Sequence, residues 1–518
     1  MNTLYSIRKC CTLLLGLCAG VAVSAQTAVE QDGIRFYLHD DGTAEAGEVV
    51  SIVNYEYISP DAGPWTPVDG QFSIAVPPYV YDAAGERYTV TAIGNRFSWT
   101  DTLATASLLA LPSTLQQADF SFLASHAVAN IVCGAVTPPA IVNPHRPRPV
   151  QLYVPSEAVA AYKESDWGER TTLGVSLVNA MYRINVTVNA DGTRSINSFS
   201  PANSALSIFS DIVLPDQIDG AAVSQTTTDI PALSVTVPEG VSGITATSRY
   251  CTTEIHLPST LKSIPSHCFY SYLSNGDSRR LERVFLAEGL ESIGEGAFSH
   301  CGRLKRLHIP ASVSHIGDGQ SSLHALEAFE VDEGNTHFAS LDGVLYTRDL
   351  TTLKQYPSGK PEASYTVPKG VKTLSAWSLE DAQNLRELRL PATLDSIGEY
   401  ALNVDTLLTA IHFSTPEPPA TSELFWSWNA DALDTFYANC TLYVPTDATA
   451  AYRQHAIYAH FTRIAEEAIE PEAVDIVSAA APVPVADYDL SGRRVGPGKG
   501  LVIRRMSDST TRKLLLTK

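Results

Sequence analysis

The sequence has little of what marks several classes of protein. Only 8 of its 518 residues are cysteine, and Cys10, Cys11 and Cys18 sit in a leader-like opening stretch. Cys133, Cys251, Cys268, Cys301 and Cys440 remain, an odd number with no C-x-x-C and no Cys/His ligand spacing. That excludes a disulfide framework and leaves these residues as buried small hydrophobes. Positive charge is scarce: 36 Lys+Arg stand against 56 Asp+Glu, a formal charge of −20. A polyanion is repelled by such a balance, so general nucleic-acid binding is not expected. No stretch beyond the leader reaches the ~18 apolar residues of a membrane span.

Catalytic signatures are missing as well. The chain has no H-E-x-x-H, no G-x-S-x-G and no Walker-type loop. Gly294-Glu295-Gly296 opens like a dinucleotide fingerprint but lacks the third glycine. His300, His308, His315 and His324 cluster in sequence without a neighbouring carboxylate at ligand spacing. No enzyme activity, metal site or cofactor is therefore expected.

What is present begins with a targeting segment at residues 1–25. Arg8 and Lys9 form a basic n-region, Cys11 to Val23 is apolar, and Val23-Ser24-Ala25 fits the small-x-small cleavage rule. Its removal takes the charge from −20 to −22 and marks the protein as exported, to the outer-membrane surface or beyond.

The dominant signal is repetition. The pattern apolar-x-apolar-Pro recurs at Ile255–Pro258, Leu307–Pro310, Tyr365–Pro368 and Leu388–Pro391, and Val284–Leu286 and Ile411–Phe413 keep the alternation without proline. Taking the second apolar residue as anchor, Leu286 to Ile309, Val367 to Leu390 and Leu390 to Phe413 are 23 residues each. Further apolar residues follow four, seven, eleven and twelve positions on, as in Leu261, Ile264, Cys268 and Phe269 after Leu257. Alternation over three to five residues predicts a short strand with one buried face, and the wider spacing predicts a turn and a short helical segment facing the same interior. One such coil cannot bury its apolar side alone. Stacked coils can, so the expected architecture is a parallel-stranded solenoid.

The segments Leu304–Gly317 (LKRLHIPASVSHIG), Leu290–Leu304 and Leu385–Leu402 resemble the BspA-like leucine-rich repeat, L-x-x-L-x-I-P-x-S-V-x-x-I-G-x-x-A-F-x-x-C. Phe338–Tyr346 followed by Leu353–Pro357 resembles the inserted hairpin of that family, which accounts for the 36-residue step from Val331 to Val367. The resemblance covers roughly 235–465. It implies an exported surface protein that binds proteins, with adhesion to host matrix or cell-surface proteins the favoured role. A glycan- or nutrient-binding accessory protein is the alternative.

Two modules are expected. Thr415–Pro419 leads to Leu442-Tyr443-Val444-Pro445 and Ala450-Ala451-Tyr452, and the same ending occurs as Thr137–Pro139, Leu152-Tyr153-Val154-Pro155 and Ala160-Ala161-Tyr162. Each module opens with a hairpin signal, around Asp41-Gly42 and Asp191-Gly192. A short module of about two coils is placed at 26–173 and a longer one at 174–465. An Ala/Pro/Val/Glu-rich linker follows at 466–486. Residues 487–518 reverse the charge, with eight basic residues against three acidic. That segment resembles the C-terminal sorting signal of type IX secretion through Asp489–Arg493 and Lys499-Gly500, with Gly500-Leu501-Val502 in place of the usual Gly-x-Tyr. Read from its residues alone, it is a small β-hairpin unit ending the chain.

The residue between the two strand apolars points outward and forms a column: His256, Phe285, His308, Glu330, Thr366, Arg389 and His412. Arg283 and Arg306 stand two residues before Phe285 and His308. Arginine and aromatic side chains anchor many interfaces. Arg283, Phe285, Arg306 and His308 are the candidate binding patch, with Arg389 and His412 further along the same face. An ordinary solvated sheet is the competing reading.

Overall fold

A three-to-five-residue strand exposes both backbone edges, so it persists only where a neighbour lies on each side. The computed structural model shows how the chain supplies those neighbours. It describes residues 27–50, 72–99, 106–124, 128–143, 150–168, 175–202, 208–227, 230, 232–245, 252–270, 281–402, 407–424 and 430–468, and the strands within 484–516. The leader at 1–25, Cys251 and most of the 466–486 linker lie outside the described residues. The described residues up to Asn179 form one compact unit and those from Ala180 a second.

In the first unit, Phe72–Ala75, Ala106–Leu111, Val128–Cys133 and Val150–Val154 pair in parallel, and Val175–Ala180 follows in the same sheet. The strands starting at Ala106, Val128 and Val150 lie 22 residues apart. A second sheet starts as an antiparallel hairpin, Ile34–Leu38 with Thr43–Val49, and continues in parallel through Arg87–Ile93, Gln117–Asp119 and Ala140–Val142. The unit thus holds more coils than the two expected from its sequence. Arg87–Ile93 and Ala106–Leu111 lie in different sheets.

The second unit repeats the plan. Its main face is built from Phe209–Val213, Ala232–Thr236, Glu254–His256 and Arg283–Phe285. Arg306–Ile309 and Ala328–Val331 form the next ladder. Ser364–Thr366, Glu387–Leu390, Ala410–Phe413, Thr441–Pro445 and Arg463–Glu467 form the last. All of these pairings are parallel. A second, narrower ladder runs through Ser263–Ile264, Ser292–Ile293 and His315–Ile316, and again through Thr352–Gln355, Thr373–Leu374 and Ser396–Ile397. The hairpin Phe338–Leu341/Val344–Thr347 enters this second ladder through Thr352–Gln355, which explains the long step in the period. Four antiparallel strands, Pro484–Tyr488, Arg494–Val495, Gly500–Met506 and Thr511–Leu516, form a separate sheet.

The anchors Leu257, Leu286, Ile309, Val367 and Leu390 are buried, as are the residues four and seven positions beyond each, for example Val313 and Ile316, or Leu394 and Ile397. The turn, rather than a helical segment, carries the chain from there to the next strand: 252–270 and 281–402 contain no helix. Ten positions after these five anchors the turn places a left-handed residue: His267, Gly296, Gly319, Trp377 and Tyr400.

Two motif positions hold coil to coil. Three residues after the anchor a hydroxyl reaches back one coil. Ser312 Oγ donates to Leu290 O at 2.7 Å and accepts the Gly289 N–H at 2.9 Å. Thr393 does the same with Val371 O and Gly370 N–H, and Thr260 with Val241 O and Gly240 N–H. Thr114 donates to Val90 O in the first unit. Eight residues after the anchor the backbones almost touch. A Cβ on Gly317 would lie 2.4 Å from Glu295 N, and one on Gly294 or Gly398 would meet the preceding coil at 2.4 and 2.5 Å.

The two closing segments are equivalent too. Tyr162 Oη donates to Ala135 O and Trp167 Nε1 to Pro139 O, while Tyr452 Oη donates to Thr415 O and Tyr458 Oη to Pro419 O. Buried ring donors thereby satisfy carbonyls of the proline-rich stretch that ends each stack.

Gly317→Ala must push two coils apart and Ser312→Ala removes both of its bonds. Each is expected to lower unfolding free energy by about 1–3 kcal/mol in chemical denaturation. Glu288→Gln, which keeps an acceptor for the Ala311 and Ser312 N–H groups, is expected to cost less than Ser312→Ala.

Candidate interaction surface

Because the inward rows fill the core, the outward positions of each strand carry whatever a ligand meets. Arg283 and Phe285 occupy the strand Arg283–Phe285, Arg283 half-buried and Phe285 37% exposed. Arg306 and His308 occupy Arg306–Ile309 and are both exposed. The two strands lie beside each other but belong to separate hydrogen-bonded ladders. The four residues are thus brought to one stretch of the face. Arg389 and His412 are direct cross-strand partners on the last ladder, beyond the inserted hairpin coil, so the six candidates form two groups.

Charges on this face are paired locally. Arg306 donates to Glu330 Oε1 at 2.6 Å, and that carboxylate raises the guanidinium's affinity for its proton. Arg283 lies 3.7 Å from Glu282, and Arg389 lies 2.5 Å from Glu387. His256 has Nε2 2.6 Å from Glu254 Oε1, and its ring stacks on Phe285 with centroids 4.4 Å apart and planes 5° apart. One face of the Phe285 ring is therefore committed to the neighbouring coil.

His412 corrects the sequence reading. Although it falls in the outward column, it is only 8% exposed. Its ring stacks on Tyr443 at 4.4 Å and 4°, with Nδ1 2.7 Å from Glu467 and Nε2 3.4 Å from Glu387. The terminal strand Arg463–Glu467 brings Glu467 over the ring, and no repeat position in the sequence announces that residue. Tyr443, by contrast, extends the same column by one coil and was readable there.

Other polar groups belong to the scaffold. Lys360, with its side chain nearly buried, holds Asp342 at 2.9 Å and Glu362 at 3.2 Å. Ser322 Oγ donates to Asp381 Oδ2 at 2.6 Å, and His324 Nε2 lies 3.3 Å from the same oxygen. The serine proton therefore points at the carboxylate rather than at the histidine, which is not a nucleophile arrangement. Among the described residues no group of three His, Cys, Asp or Glu side chains is placed to hold a metal ion, and no helix is long and apolar enough to cross a membrane.

Cys133, Cys268, Cys301 and Cys440 are buried, as expected of small hydrophobes. Burial pushes the thiols of Cys268 and Cys440 up to about 12. A thiol is reactive as its thiolate. Neither residue is expected to react with a disulfide reagent at pH 8 in the folded protein, and both should titrate promptly in 6 M guanidinium.

The repeat region can now be set beside known proteins. Residues 246–341 and 361–433 match the BspA type leucine rich repeat region, in six copies. The solved structures it resembles include a leucine rich cell surface protein from Faecalibacterium prausnitzii, at 17% identity over 86% of this chain and 96% of that one, with a TM-score of 0.31. Others are a leucine-rich repeat protein from Bacteroides ovatus, at 15% identity, 85% and 100% coverage and a TM-score of 0.29, and the pneumococcal vaccine antigen PcpA, at 14%, 86% and 99%, and 0.29. No curated protein matches the chain.

Proposed function

We propose that this chain, whose residues 246–341 and 361–433 carry BspA type leucine-rich repeats, is an exported surface protein that binds other proteins and catalyses no reaction. Bacterial proteins built from this repeat are typically displayed on the cell surface, and leucine-rich repeats are typically protein-binding. The ligand is a protein of the host matrix or of a cell surface. The leader at 1–25 directs export, and the basic segment 487–518 acts as a type IX sorting signal that retains the protein outside the outer membrane. The binding parts are a shorter module at 26–173 and a longer one at 174–465.

One observation carries the binding role. Arg283, Phe285, Arg306 and His308 stand on two adjacent strands whose inward residues, Val284, Leu307 and Ile309, are buried, as is Leu286 just beyond the first strand. Such a face can be altered without disturbing the core, and its arginine and aromatic content suits an interface anchor. The local ion pairs are solvent-exposed and worth under ~1 kcal/mol each, so a partner's carboxylate can compete for the arginines.

Replacing the quartet by alanine is expected to weaken binding to immobilised matrix proteins at least tenfold while moving the thermal midpoint by no more than a few degrees. Unchanged binding would remove this face from the proposal. Surface labelling of intact cells tests location: the full chain should be labelled, and a chain lacking 487–518 should lose surface retention.

A further inference from the structure

The hairpins that open the two units are the same object. In the first, the His39 N–H donates to Thr43 O at 2.9 Å, the Gly42 N–H to His39 O at 3.1 Å, and Thr43 Oγ1 to Asp41 Oδ1 at 2.6 Å. In the second, the Asn189 N–H donates to Thr193 O at 2.9 Å, the Gly192 N–H to Asn189 O at 3.0 Å, and Thr193 Oγ1 to Asp191 Oδ1 at 2.7 Å. Gly42 and Gly192 share a left-handed φ of 79° and 87°. This turn aligns Ile34, Phe36 and Leu38 with Ile184, Val186 and Val188.

The two hairpins differ at their outer edge. In the first unit the strand Ala28–Gln31 pairs antiparallel with Ile34–Leu38, in the register Val29 with Phe36 and Gln31 with Ile34, and the Leu38 N–H donates to Thr27 O at 2.8 Å. In the second unit Tyr182–Val188 is the last strand of its sheet among the described residues. Its inner side is settled: the Ala202 N–H donates to Met181 O and the Asn189 N–H to Thr193 O. Antiparallel alternation, carried through the bulge at Asn185/Val186, leaves the amides of Ile184, Val186 and Val188 facing away from Arg194–Pro201. The burial follows the pairing, since Leu38 is 7% exposed and Val188 is 64% exposed.

From this internal comparison we propose that the edge Tyr182–Val188 is a strand-accepting site. It takes an extended segment of a partner protein, added antiparallel, with small or β-branched residues alternating with polar and acidic ones. Ala28–Gln31, with sequence Ala-Val-Glu-Gln, is the template for that chemistry. The seven-residue strand carries no proline or lysine, and the extra residue of its bulge, Asn197, lies on the paired strand rather than on the edge. Arg183 is the only charged side chain on the strand and it is exposed, which favours an acidic residue in the added segment. The site is independent of the face around Phe285.

The test uses the full chain and a synthetic peptide with the sequence of residues 26–33. In the free protein the amides of Ile184, Val186 and Val188 should exchange with deuterium almost as fast as in an unstructured peptide. Millimolar peptide should slow them at least tenfold, and a scrambled peptide should not. Ile184→Pro removes an outward amide and should abolish the protection at Val186 and Val188. Val188→Lys charges the end of the edge and should weaken the peptide at least threefold with unchanged far-ultraviolet circular dichroism, so the test survives if the proline variant folds poorly. Slow exchange in the free protein, or no response to the peptide, overturns the proposal.

Discussion

Everything in this protein depends on backbone hydrogen bonding between coils that are each too small to fold. In the repeat region between Glu254 and Phe413 a coil offers one strand of three or four residues, a second strand of two to four and a handful of apolar side chains. None of these survives alone, because the apolar face is open and both strand edges are unpaired. Placing the next coil one strand spacing away cures both defects together. The requirement is closeness, and the motif residues that look least chemical supply it. Glycine eight positions beyond the anchor lets backbones approach to a distance at which a methyl group would collide. The serine or threonine three positions beyond it uses that closeness to satisfy an amide and a carbonyl of the coil before.

The same constraint governs how the stack begins and ends. A first coil has nothing beneath it, and the antiparallel hairpins at Asp41-Gly42 and Asp191-Gly192 provide a strand pair on which a parallel ladder can start. Near the other end of each stack, Tyr162 and Trp167, and again Tyr452 and Tyr458, reach back to carbonyls of the proline-rich stretch, those of Ala135 and Pro139 in one unit and of Thr415 and Pro419 in the other. Proline suits this place because it offers no N–H to leave unpaired.

The solenoid was legible in the sequence because the constraint is periodic. Anchors 23 residues apart, and apolar residues four and seven positions beyond them, return as stacked buried rows. What failed to show was whatever interrupts the period. Val128–Cys133 runs into Gly134 rather than proline, and Ile74-Ala75-Val76-Pro77 carries the signal in isolation, 35 residues before its successor at Leu111. The first unit was therefore read as having too few coils. The second ladder was invisible for a different reason: two residues cannot establish an alternation, so Ser292–Ile293 reads as one more apolar position rather than as a strand. Side-chain exposure was legible as direction but not as degree. His412 has the outward position its column implies, yet Tyr443 covers it from the next coil of that column and Glu467 from a strand that no repeat position reveals.

His412 also clarifies what the outward column can do. An aromatic side chain there has two faces, and a neighbouring coil 4.4 Å away consumes one of them, as Phe285 takes the His256 ring and Tyr443 takes His412. A ring is available to a partner only where the other face meets no further coil in register. Phe285 satisfies that condition because the ladder ends at its strand and Arg306–Ile309 begins another. The break in hydrogen bonding removes the tight strand spacing at that point, and it leaves Phe285 partly exposed on a strand that also carries Arg283, beside the strand of Arg306. The discontinuity in the sheet and the exposed candidate patch are then one feature, produced at the point where the stacking that builds the rest of the molecule relaxes.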